Sequence, residues 1–101
     1  MAGSLKAITS CLGYQQITSL ATAQALTVPT RDANGMAVTP SLALITPLTQ
    51  NVRWRDDGTL PTATVGMPLL AGVTLQYDGD MTRIRFIETT ASAELNISYY
   101  A

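Results

Sequence analysis

Apolar and polar residues alternate with a period of two along four segments in the second half of the chain. Over residues 50–55, Val52 and Trp54 fall on one side, with Arg53 and Arg55 on the other. Val73, Leu75 and Tyr77 alternate with Thr74 and Gln76. Ile84 and Phe86 alternate with Arg83 and Arg85 until Ile87 breaks the pattern. Leu95, Ile97 and Tyr99 alternate with Glu94, Asn96 and Ser98. A period of two over successive segments predicts half-buried strands. It makes Trp54, Leu75, Tyr77, Ile84, Phe86, Leu95 and Ile97 the core anchors. Asp78-Gly79-Asp80 lies between two of the segments and predicts a hairpin or a slightly longer turn.

The first half is less regular. Ser41-Leu42-Ala43-Leu44-Ile45-Thr46 is a nearly continuous apolar run, which predicts a strand covered on both sides, and Pro40 and Pro47 bracket it. Residues 12–19 predict a further strand with Leu12, Tyr14 and Ile17 turned inward. Residues 17–26 carry a loose helical spacing, but their threonines and lack of a cap favour strand and loop at least as well. Residues 29–37, with Asn34-Gly35, predict a polar loop.

Turn punctuation recurs at Asn34-Gly35, Asp57-Gly58, Gly66, Gly72 and Asp78-Gly79-Asp80, and serine and threonine supply 21 of the 101 residues. Short strands at that spacing predict an all-β chain, a single-domain antiparallel β-sandwich, jelly-roll-like, of about seven or eight short strands. The domain is expected to span residues 1–101, with about the first ten residues forming an extended arm.

Charge changes the picture more than length does. Charged residues make up 13% of the chain, hydrophobic residues 47%, and the net charge is -1 without any histidine. A soluble domain usually carries about 25% charge. A surface this poor in ions is expected to be partly covered by other protein. A near-neutral chain is a poor general binder of nucleic acid, and no apolar run approaches the roughly 18 to 20 residues of a membrane span. The first six residues do not read as a signal peptide, which predicts synthesis in a cytoplasm.

Enzyme chemistry finds little to build on. Without histidine the commonest general base is missing, and the single Cys11, read as a small buried hydrophobe, cannot form an internal disulfide. No catalytic residue, metal ligand or cofactor is expected. Asp56-Asp57-Gly58-Thr59 and Asp78-Gly79-Asp80 lack the ligand spacing of a calcium loop and read as turns. A hydrolase working through Asp56, Asp57, Asp78 or Asp80 is the weakest alternative. Asn96-Ile97-Ser98 matches a glycosylation acceptor but falls in a strand, which makes the match accidental.

Arg53, Arg55, Arg83 and Arg85 are four of the six cations. If their strands are neighbours, they form one basic patch, either solvated and paired to nearby carboxylates or a protein interface. Tyr100, near the terminus, is the fifth candidate interface residue. The nearly uncharged residues 7–50 are the first place to expect a covered surface.

The stretch Val52-Arg53-Trp54-Arg55-Asp56-Asp57-Gly58-Thr59-Leu60-Pro61-Thr62-Ala63-Thr64-Val65-Gly66-Met67-Pro68-Leu69 is followed by Gly72-Val73-Thr74-Leu75-Gln76-Tyr77 and Ile84-Arg85-Phe86-Ile87-Glu88. Together they resemble small virion-associated proteins of tailed bacteriophages. The resemblance covers about the second half, residues 50–100. It implies a many-copy structural role in the virion, most simply a capsid decoration or cement protein that binds the major capsid protein or other virion proteins and self-associates as a homo-oligomer. It implies no catalysis, and the charge balance and the short apolar runs give the expectation of no nucleic-acid or membrane contact. A vertex or tail component, or an adhesion module stacking carbohydrate on Trp54, Tyr99 or Tyr100, is the alternative.

Overall fold

Eight strands form among residues 10–101, which are the residues the computed structural model describes. In chain order they are β1 (Cys11–Ile17), β2 (Gln24–Ala25), β3 (Leu42–Leu48), β4 (Val52–Arg55), β5 (Met67–Leu69), β6 (Leu75–Tyr77), β7 (Arg85–Glu88) and β8 (Glu94–Tyr100). They make two four-stranded antiparallel sheets, ordered β1-β8-β3-β6 and β2-β7-β4-β5. The expected N-terminal arm lies outside the described residues except for Ser10.

The order follows one rule. β1 pairs with β8, β2 with β7, β3 with β6 and β4 with β5, so the partners' numbers always sum to nine. That is a long antiparallel hairpin rolled up, the arrangement of a jelly roll. Two further ladders, β3 with β8 and β4 with β7, close each sheet.

The core lies between the sheets. Ile45, Val52, Ile84, Phe86, Leu95, Ile97 and Tyr99 are almost wholly buried there, with Leu20, Tyr77 and Met81. β8 alternates between buried and half-buried positions along its whole length, as its sequence pattern requires. Ile84, Phe86, Leu95, Ile97 and Tyr77 are core residues as expected. Trp54 and Leu75 pack against the core but are only partly buried. Leu75 belongs to an edge strand, and Trp54 is flanked by the three-residue edge strand β5.

Four expectations need correction. Asp78-Gly79-Asp80 does not close a hairpin, because β6 and β7 belong to different sheets; the turn crosses between layers. The apolar run of β3 is covered on one side only, with Ala43 and Ile45 inward and Leu42 and Leu44 half-exposed. Pro47 lies inside β3, not beyond it. It is tolerated because its carbonyl, accepting from Gly72 N–H at 2.8 Å, points past the end of the β6 ladder. Its nitrogen points to the same side, where no carbonyl asks for a donor.

Tyr14 is the fourth. It is 65% exposed because β1 carries a one-residue bulge: Cys11 pairs with Tyr100 and Gly13 with Tyr99. The inserted Leu12 shifts the alternation by one. Tyr14 therefore joins the outer face opposite Ser98, and Gln15 takes the inward position opposite Ile97.

Candidate functional site

The arginine strands are neighbours. β4 pairs with β7 so that Arg53 opposes Ile87, Trp54 opposes Phe86 and Arg55 opposes Arg85. All three arginines face outward, opposite in sense to Val52 and Phe86. Like charges directly across a ladder repel, and each guanidinium here is engaged. Arg55 meets Asp57 through Nη2–Oδ2 at 2.5 Å and Nε–Oδ1 at 3.1 Å. The Arg55 hydrogen bonds hold the Asp57 carboxyl down at about 2, aided by the Thr59 N–H. The same bonds raise Arg55. Arg85 donates to the carbonyls of Thr82 and Ile84 at 2.9 and 3.0 Å.

Arg53 does structural work. Its Nε donates to the Ala63 carbonyl at 3.2 Å and its Nη1 to that of Gly66 at 3.0 Å, so it staples the 61–66 loop to β4. Arg83 has no ion pair among the described residues, and its guanidinium lies over Gly58. With Arg85 it lines a cleft of about 210 Å³ against Gly58, Thr59 and Leu60. Tyr100 lies on the other sheet, paired with Leu42 and Cys11, where its phenol accepts from the Ser98 hydroxyl at 3.1 Å. The five candidate interface residues are therefore not one patch.

The acidic clusters form turns. Asp57 Oδ1 accepts from Thr59 N–H at 3.2 Å, and Asp80 Oδ1 from the N–H and hydroxyl of Thr82 at 2.9 and 2.6 Å. Hydrogen bonds from Thr82 also keep the Asp80 carboxyl below its usual range. Asp56 accepts from the Tyr77 hydroxyl at 2.7 Å. Among the described residues no three cysteine, aspartate or glutamate side chains converge as a cation site would require. Cys11 is exposed, not the buried hydrophobe expected of it.

One concavity was not legible in the sequence. A groove of about 470 Å³ runs between the end of β4 and the start of β5, lined by Trp54, Arg55, Asp56, Asp57, Val65, Gly66 and Met67. Trp54 packs edge-on against Tyr77 with ring centroids 6.0 Å apart, and its other flank faces the groove. Val65 and Met67 are 52% and 56% exposed, and Leu60 on the same loop is 60% exposed. Among the described residues, five of the eight exposed large hydrophobics (Leu60, Val65, Met67, Leu70 and Val73) lie beyond residue 50. This apolar surface sits beside the charged half of the chain. The one signal for it is the run Val65-Gly66-Met67-Pro68-Leu69-Leu70, apolar throughout although glycine and proline interrupt it.

Compared with models of known protein families, with curated proteins and with solved structures, the chain matches none.

Proposed function

We propose that this chain is a structural protein of a bacteriophage virion, a decoration or cement module that binds the major capsid protein and self-associates. The observation that carries the reading is the apolar flank around Trp54, Leu60, Val65 and Met67 on a chain with 13% charge. Contiguous exposed apolar surface of this kind usually marks a contact with another protein. The edge beside it cannot recruit that partner by backbone pairing. In β5 only Pro68 points its peptide atoms away from β4, and proline has no N–H to offer. Contact there would come from side-chain burial, with Arg83 and Arg85 at the rim as carboxylate partners. A lattice multiplies such weak contacts into firm attachment. Jelly rolls recur in capsid proteins, which is an analogy of fold alone.

Mass spectrometry of purified particles tests the reading. The chain is expected in hundreds of copies on a capsid lattice, or tens at a vertex or tail; absence from the particle ends the proposal. A second reading, carbohydrate binding, is favoured by the open flank of Trp54 beside the Asp56 and Asp57 carboxylates. Saccharide titration that leaves Trp54 fluorescence unchanged would dispose of it.

A further inference from the structure

Two four-stranded sheets leave four edge strands, β1 and β6 in one, β2 and β5 in the other. Three of these are blunted by length: β2 has two residues, β6 three, and β5 three with Pro68 in the middle. β1 differs. It has seven residues, Cys-Leu-Gly-Tyr-Gln-Gln-Ile, with no charged side chain and no proline. Proteins protect long edges with charge, proline or bulges, and β1 has only the bulge at Leu12.

The ladder fixes which peptide groups are free. Ser10 and Ala101 exchange both backbone hydrogen bonds, at 2.9 and 3.0 Å. Counting along the ladder from that pair, Tyr99, Ile97 and Leu95 turn toward β1, and their partners Gly13, Gln15 and Ile17 turn toward β8. Tyr14 and Gln16 therefore point their N–H and C=O groups away from the sheet. Among the described residues nothing bonds to them.

We infer that this edge is an interface between two copies of the chain. β1 of one copy pairs antiparallel with β1 of the other across a two-fold axis at Gln15, joining two four-stranded sheets into one of eight strands. Tyr14 then exchanges both backbone bonds with Gln16 of the second copy, and Gln16 with its Tyr14. The occupant is a second copy because an antiparallel edge is its own complement about a two-fold. No like charges meet there, since the strand has none. The axis lies at Gln15 because residues 13–17 are the stretch free of the bulge. The same pairing covers the exposed Tyr14 ring with Gln16 of the other chain. The inference deepens the self-association in the proposed function and rests on that part of it alone, not on the position in a virion.

Sedimentation of the full chain from about micromolar to millimolar concentration tests the interface, since a short ladder makes a weak association. Wild type is expected to pass from monomer to dimer. Gln16→Pro removes an outward N–H while keeping every backbone bond to β8, at the loss of the Gln16 Nε2 bond to Asn96 Oδ1 at 3.0 Å, and Tyr14→Lys places two ammonium groups across the axis. Each should raise the dimer dissociation constant at least about tenfold. Should Gln16→Pro not fold by circular dichroism, Tyr14→Lys decides. Mixing Tyr14→Cys with Gln16→Cys chains, both carrying Cys11→Ser, should yield a mixed disulfide on oxidation, since paired Cα atoms lie about 5.5 Å apart. A wild type that stays monomeric throughout, or folded variants that dimerise equally well, overturns the inference. Particle composition is a separate readout: a dimer absent from virions sinks the virion role and leaves this interface standing.

Discussion

Tyr77 donates its phenolic hydrogen to Oδ2 of Asp56 at 2.7 Å, and the bond crosses from one sheet to the other. Tyr77 ends β6, and Asp56 follows directly on β4. At the opposite edge Tyr99 of β8 donates to Gln15 Oε1 at 2.8 Å, and the same oxygen accepts Thr27 N–H at 3.0 Å, just beyond β2. A tyrosine hydroxyl thus latches the sandwich on each side of its apolar core.

Tyr77→Phe keeps the ring against Trp54 and removes the first latch. Asp56 can still be hydrated, so the loss is that of one charge-assisted bond, about 1–2 kcal/mol. For a domain of this size each kcal/mol lowers Tm by about 4–8 °C. Chemical denaturation followed by Trp54 fluorescence measures the change. An unaltered midpoint would show that the latch contributes nothing.

Alkaline pH should open both latches. Burial pushes Tyr99 up to about 12 from its ordinary 10. Tyr77 is raised as well, first by burial and then by the Asp56 carboxylate it donates to. The unfolded chain releases these protons near pH 10 and the folded chain holds them longer. Their stabilisation is therefore complete below pH 10 and lost as pH rises toward about 12 and beyond. Urea midpoints should fall across that window. Tyr99→Phe, less stable than wild type at pH 7, should lose less between pH 10 and 12 than wild type does.

Gly66→Ala should distort the groove. Gly66 has φ 148°, and a Cβ there would lie 3.1 Å from Arg53 Cβ and 3.2 Å from the Trp54 carbonyl oxygen. Neither neighbour can retreat without moving β4, so the cost is about 1–3 kcal/mol. A change in the Trp54 emission spectrum should accompany it. Gly72→Ala serves as the contrast, since φ there is also positive but a Cβ meets nothing within 4 Å.

The arginines should separate into two kinds. Arg53→Glu removes the staple on the 61–66 loop and places a carboxylate beside two carbonyls. Its expected effects are a lower Tm and faster proteolysis within the loop. Arg83→Glu should leave Tm nearly unchanged, because no described ion pair or hydrogen bond is lost, and it should weaken binding to shells that lack the chain. Equal shell binding by Arg83→Glu, Arg85→Glu and wild type would remove these arginines from the interface.

The second half of the fold was legible because β7 and β8 each bury one face and expose the other, so Phe86, Leu95 and Ile97 announce themselves by period alone. The pairing was not. Asp78-Gly79-Asp80 has the composition of a hairpin turn, and turn residues specify a local reversal without saying whether the next strand stays in the same layer. Tyr14 was misplaced because one inserted residue at Leu12 inverts every later side chain, and nothing in Cys-Leu-Gly marks it. The groove escaped because it is a property of where β5 ends. Exposed Met67 and buried Leu69 differ only by two places along one short strand.

β8, the last strand of the sequence, is not at the rim of its sheet but between β1 and β3. Every ladder that β1 makes among the described residues is with it. During synthesis β1 emerges well before β8 and waits without its ladder partner, carrying no charge, until β8 follows. The Gln15 side-chain contact with Thr27 is local, but a long loop must close before the first ladder bond of β1 forms, which predicts slow folding and a nascent segment in need of shielding until β8 arrives.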